Sequence, residues 1–128
     1  MSHISLIRIK LKNPNRELLK KTVKELAAEL KATITTNVKD FGGETTSVFI
    51  GIMNETFKNG IGINIDKNGE VQIVGDFWGV KKKEVENFQQ KLIQRYTANA
   101  LQLSLKQLGY QTQAQKVKEK IVVRAWSL

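Results

Sequence analysis

Cysteine is absent from this 128-residue chain, histidine occurs once, proline once and tryptophan twice. Without cysteine there are no disulfides, iron–sulfur clusters or zinc–thiolate sites. A lone imidazole, His3, excludes a multi-histidine metal centre within one chain. No apolar run approaches the roughly 20 residues that a membrane-spanning helix needs. The first twelve residues alternate with charge, unlike the apolar stretch and small-residue cleavage site of a secretory signal. These absences lead to the expectation of a soluble cytoplasmic protein with no metal and no cofactor. Asn54-Glu55-Thr56 has the pattern of a glycosylation site, which without a secretory signal is best read as chance.

What is present is positive charge, unevenly placed. The net charge is +9. Residues 1–39 hold nine Lys/Arg and three Asp/Glu, residues 40–79 two and six, and residues 80–128 ten and three. Both ends are basic and the middle is acidic. Such a layout fits an anionic partner on one side, or else lysine-rich helices whose charged faces simply meet water.

Apolar content of 41% in a chain of this length is enough for one domain with a buried core, and we expect residues 1–128 to form one. Residues 3–12 alternate as a strand, with Ile7, Ile9 and Leu11 on one face and Arg8, Lys10 and Lys12 on the other. Asn13-Pro14 has the chemistry of a helix start. Leu18, Leu19, Val23, Leu26, Ala27 and Leu30 then recur at helical spacing. Residues 33–39 and 45–53 are rich in β-forming types, on either side of a Gly42-Gly43 break. Residues 61–65 and 71–75 form a hairpin around Asn68-Gly69. A long helix follows from Lys81 to Leu108, with Val85, Phe88, Leu92, Ile93, Tyr96, Ala100, Leu103 and Leu108 as its apolar stripe and Gly109 as its stop. Residues 117–126 read as the last strand, and 110–116 carry no clear signal.

The resulting order is β-α-β-β-β-β-α-β. The short central connections require antiparallel neighbours. We therefore expect an α+β two-layer sandwich, ferredoxin-like in style, with about five strands and two helices on one face. The first and last strands should lie inside the sheet or beside each other.

Several residues resemble those of a known family. They are Met1-Ser2-His3 ahead of the first strand, Leu92 with Gln94-Arg95-Tyr96 in the second helix, the closing Val122-Val123-Arg124-Ala125-Trp126, and the aromatic pair Phe77-Trp78 before the long helix. The chain resembles, over nearly its whole length, the uncharacterised family that includes hypothetical chloroplast reading frame thirty-five and its cyanobacterial relatives. That family has no established activity, so the resemblance implies kinship and no mechanism. Some members are encoded near AAA-type ATPases, which implies such an ATPase as a partner to consider.

Few motifs point to catalysis. His3 has the only side chain suited to proton transfer near neutral pH, and the resemblance includes it. Gly42-Gly43-Glu44-Thr45-Thr46-Ser47 lacks the lysine and the following helix of a phosphate loop. Asp66, Asn68 and Glu70 alternate like cation ligands, yet an Asn-Gly turn accounts for them. Asp40, Glu44 and Asp76 could gather at one end of the sheet, though their spacing does not require it.

The sharper pattern is basic. Arg8, Lys10 and Lys12 share one face of the first strand, and Lys118, Lys120, Arg124 and Trp126 share one parity on the last. If those strands are adjacent they form one basic, aromatic-edged sheet surface. Surfaces of that kind hold single-stranded nucleic acid by phosphate contact and base stacking. A protein or a second subunit could instead cover it, with Trp126 as an anchor. This pattern points to a binding protein, an accessory or assembly factor, with nucleic-acid binding as the alternative. Arg95, in the long helix, is the further polar group singled out.

Overall fold

The structure, a computed structural model, describes residues 4–127, so His3 lies outside the described residues. It is α+β: two helices and seven strands in antiparallel sheets. The elements are β1 (Ser5–Lys12), α1 (Arg16–Glu29), β2 (Thr33–Lys39), β3 (Thr45–Met53), β4 (Ile61–Ile65), β5 (Glu70–Gly75), α2 (Lys82–Gln107), β6 (Tyr110–Val117) and β7 (Lys120–Ser127). Five strands form one antiparallel sheet in the order β1-β5-β4-β3-β2. Strands β6 and β7 form a separate hairpin.

Alternation sets the layers. Ile9, Ile50, Ile52, Ile61, Ile63, Val71 and Ile73 point to one face of the sheet, where they meet Leu19, Val23 and Leu26 of α1 and Val85, Phe88 and Leu92 of α2 in one buried cluster. On the opposite face Val38, Val48 and Val74 form a small cluster with Ile4 against it. That packing explains why Ile4 departs from the parity of β1. Gly62 admits this second cluster, because a Cβ there would stand 2.6 Å from a Val48 methyl.

Local chemistry fixes the ends. Asp66 Oδ1 accepts the N–H groups of Asn68 (2.8 Å) and Glu70 (2.9 Å), closing the β4–β5 turn. Gly69 has φ +82, and a Cβ there would collide with the Asn13 carboxamide. The cap of α1 is Asn15, not Asn13: its side chain accepts from Leu18 N–H at 3.0 Å. Asn13 instead takes a left-handed turn with φ 51, and Pro14 precedes the cap. The Tyr96 hydroxyl accepts the Asn15 N–H at 2.9 Å, so α2 braces the start of α1.

Two helices of unequal length cross the sheet. The 26 residues of α2 span about 39 Å, against 14 residues in α1. The last turns of α2 therefore pass beyond the main core. Leu103 and Leu108, expected in the buried stripe, are exposed for that reason. Lys81 is the N-cap of α2, which begins one residue later than expected.

Between the helices, Asn99 Nδ2 donates to Thr22 Oγ1 (3.0 Å) and to Glu25 Oε1 (2.8 Å). Thr22 is fully buried and Asn99 nearly so. Asn99→Ala leaves both acceptors short of a donor, and we expect it to lower unfolding free energy by about 1–3 kcal/mol. Urea unfolding of the variant measures this directly.

The expected placement of the last strand is corrected. β1 lies at the sheet edge and pairs with β5, while β7 pairs with β6. Residues 110–116, which carried no clear signal, are the missing partner. A two-residue turn at Lys118-Glu119 brings β7 back onto β6, and such local pairing costs far less loop entropy than a return to β1.

Candidate functional site

The β6–β7 hairpin has two unlike faces. Cross-strand pairs Thr112↔Ala125, Ala114↔Val123 and Lys116↔Ile121 turn toward α2, where Gln102 Nε2 donates to Thr112 Oγ1 at 3.3 Å. Pairs Gln111↔Trp126, Gln113↔Arg124, Gln115↔Val122 and Val117↔Lys120 form the outer face. Three glutamines therefore lie beside Trp126, Arg124 and Val122. Trp126 is 45% exposed, and its indole N–H donates to Gln111 Oε1 at 2.8 Å. Lys120, Arg124 and Trp126 thus share a surface as their parity predicts. Lys118 does not sit in the strand with them; it occupies the turn with φ 56.

Arg8, Lys10 and Lys12 lie elsewhere, on the face of the five-stranded sheet that the helices leave open. Arg8 Nε is 3.8 Å from Glu70 Oε2 on the neighbouring strand. The single basic surface that depended on adjacent terminal strands is not formed by strand pairing. Two separate basic patches replace it.

Arg95 belongs to a third arrangement, centred on Glu29 at the end of α1. Glu29 accepts from Lys91 Nζ at 2.6 Å, from Arg95 Nη2 at 2.7 Å and from Lys116 Nζ at 3.5 Å. Beside it Gln94 Nε2 donates to the Glu119 carbonyl at 2.7 Å. One carboxylate thus ties α1, α2 and β6 together. The hydrogen bond from Lys91 is the chief reason its carboxyl falls from an ordinary 4.5 to about 2; partial burial works against that shift, and the charge of Lys91, the Arg95 hydrogen bond and the charge of Lys116 add to it. Arg95 Nε is buried there without a partner of its own. No local sequence signal reveals this cluster, because Glu29, the Lys91–Arg95 pair and Lys116 are far apart in the chain and meet only when α1, α2 and the hairpin pack.

A fourth feature lies where the β2–β3, β3–β4 and β5–α2 loops converge. Asp76, 5% exposed, accepts Phe41 N–H on Oδ2 at 2.7 Å and Trp78 N–H on Oδ1 at 3.2 Å. Asp40 is engaged locally, accepting the Glu44 N–H at 2.9 Å. These carboxylates are spent on loop geometry, not offered as an acid–base pair. Among the described residues no three His, Asp or Glu side chains gather as metal ligands, and no helix is long and apolar enough to cross a membrane.

A family profile described as "Protein of unknown function (DUF1257)" matches residues 22–125. The chain belongs to that family. No curated protein and no solved structure matches it. The portion matched to the family holds Glu29, Lys91, Arg95 and Lys116, together with Phe41, Asp76 and Trp78. Strand β1 and Trp126 fall outside that portion.

Proposed function

We propose that this protein acts by binding, as an accessory or assembly factor that docks an acidic protein surface on the outer face of the β6–β7 hairpin. The observation that carries the reading is Trp126, exposed on that face yet held by Gln111. A ring already fixed in place loses little conformational freedom on docking, so more of its contact area becomes affinity. Val122 adds apolar surface beside it, and Lys120 and Arg124 supply charge. Residues 101–128 carry five Lys/Arg against one Asp/Glu, which favours an acidic partner over a basic one. Arg8, Lys10 and Lys12 form a separate patch and contribute long-range attraction to the same kind of partner. We also read the family as that of chloroplast reading frame thirty-five, from residues 92–96 and 122–126. An AAA-type ATPase is then a candidate to test as a purified protein.

A photoreactive side chain placed at Gln113 tests this reading. We expect one discrete adduct with an acidic protein, lost when Trp126→Ala is combined with Arg124→Glu and kept in Trp78→Ala. An adduct pattern unchanged by those substitutions would sink it. Anisotropy of a labelled single-stranded RNA supplies the alternative outcome. Binding that weakens steeply between about 50 and 200 mM salt, and vanishes in Lys120→Ala with Arg124→Ala, would transfer this face to nucleic acid.

A further inference from the structure

We infer that two copies of this protein associate through the aromatic end of the sheet, each copy's Phe41 and Trp78 packing into the other's cleft. This surface is separate from the hairpin face and does not depend on the reading given to that face.

Phe41 is 61% exposed and Trp78 is 70% exposed, and their rings meet edge to face with centroids 4.6 Å apart. They are not loose surface residues. The buried Asp76 carboxylate takes the backbone N–H of both, from two different loops. A carboxylate is costly to bury unless its hydrogen bonds are supplied, and here the bonds it receives hold two large apolar rings out in water. Val80 N–H closes the second loop onto the Phe77 carbonyl at 2.9 Å.

Phe41 and Trp78 form one wall of a cleft of about 370 Å³, whose lining also includes Phe57, Phe77, Glu55 and Lys58. Its floor is rigid. Phe57 contacts Phe77 at 6.5 Å and Phe88 of the core at 6.0 Å, both edge to face. An aromatic wall that flanks its own cleft can enter the cleft of a second copy under a two-fold axis, the geometry of an isologous dimer. Rigid aromatic anchors entering a partner's pocket are the usual centre of such an interface.

Charge favours a second copy over a strongly charged partner. The three loops and the first turn of α2, residues 39–44, 54–60 and 76–86, carry five Lys and six Asp/Glu. The rest of the chain carries sixteen Lys/Arg and six Asp/Glu. Two such chains repel each other over most of their surfaces, but at this end they meet nearly neutral. A polyanion gains more from the basic patches than from here, and a strongly charged protein of either sign finds no opposite field.

Sedimentation equilibrium tests the inference, using a Trp126→Phe protein in which Trp78 is the remaining indole. We expect a reversible monomer–dimer equilibrium, with Trp78 emission moving to the blue as concentration rises. Trp78→Ala and Phe41→Ala, both at exposed positions that should leave folding intact, are each expected to raise the dimer Kd about tenfold or more. Trp126→Ala should leave it unchanged, which separates this interface from the hairpin face. A monomer at the highest soluble concentration would overturn the inference. So would a dimer indifferent to both aromatic substitutions, or a monomer whose Trp78 emission responds only to added single-stranded RNA.

Discussion

Phe88→Ala is expected to cost about 3–5 kcal/mol of unfolding free energy. Phe88 is almost fully buried, on the face of α2 that seats the helix on the sheet. Its ring lies 6.0 Å from Phe57, which in turn contacts Phe77 under the loop that carries Trp78. Truncation removes the ring's burial and leaves a cavity that the helix and sheet close only in part. Against a total stability of about 5–15 kcal/mol, this moves the chain close to unfolding. The denaturant midpoint should fall with little change in slope, since the surface exposed on unfolding is nearly the same. The aromatic end should loosen as well, so the variant should self-associate more weakly than its loss of stability alone explains. A loss below about 1 kcal/mol would mean that Phe88 is less tightly packed than its burial indicates.

Glu29→Gln is expected to destabilise by about 1–3 kcal/mol at neutral pH, with the damage concentrated in the hairpin. The substitution leaves Lys91, Arg95 and Lys116 with no counter-charge between them. These side chains are a quarter to a half exposed, so solvent screens part of the loss. Lys116 is the group through which this carboxylate holds β6, so amide exchange should quicken in residues 110–127 before it does in the five-stranded sheet. The pH dependence follows from the carboxyl's fall from 4.5 to about 2. A carboxyl with a lower pKa in the folded state stabilises fully above its unfolded value and loses that contribution as pH falls through its folded value. The gap between wild type and Glu29→Gln should therefore be widest above about pH 4.5 and narrow steadily toward pH 2. Urea unfolding of both proteins from pH 7 down to pH 3 measures it, and a constant gap would show that Glu29 acts by packing alone.

The amphipathic patterns carried much of the fold. Residues 61–65 alternate so regularly that the strand falls where its apolar residues place it, and residues 45–53 are marked by their β-forming types. Asn68-Gly69 fixes its hairpin by local geometry. The stripe from Val85 through Phe88 and Leu92 to Tyr96 is the buried side of α2. These features were legible because each depends on neighbours within a few residues. The candidate sites were legible only in part. Parity put Lys120, Arg124 and Trp126 on one face, which is a local property of a strand. It could not say which strand lies beside them. Tyr110–Val117 hid its pairing because glutamines alternate there with small or polar residues, leaving no apolar stripe to read.

What the sequence determined by itself was therefore the identity of most elements, the side each one buries and the uneven distribution of charge. Those follow from periodicity and turn chemistry, which act over a few residues. The tertiary structure alone decided the partner of β7, the meeting of Lys91, Arg95 and Lys116 around Glu29, and the use of Asp76 to hold Phe41 and Trp78 outward. Each joins residues far apart in the chain, and each depends on a balance of loop entropy, desolvation and packing that exists only once the layers have closed.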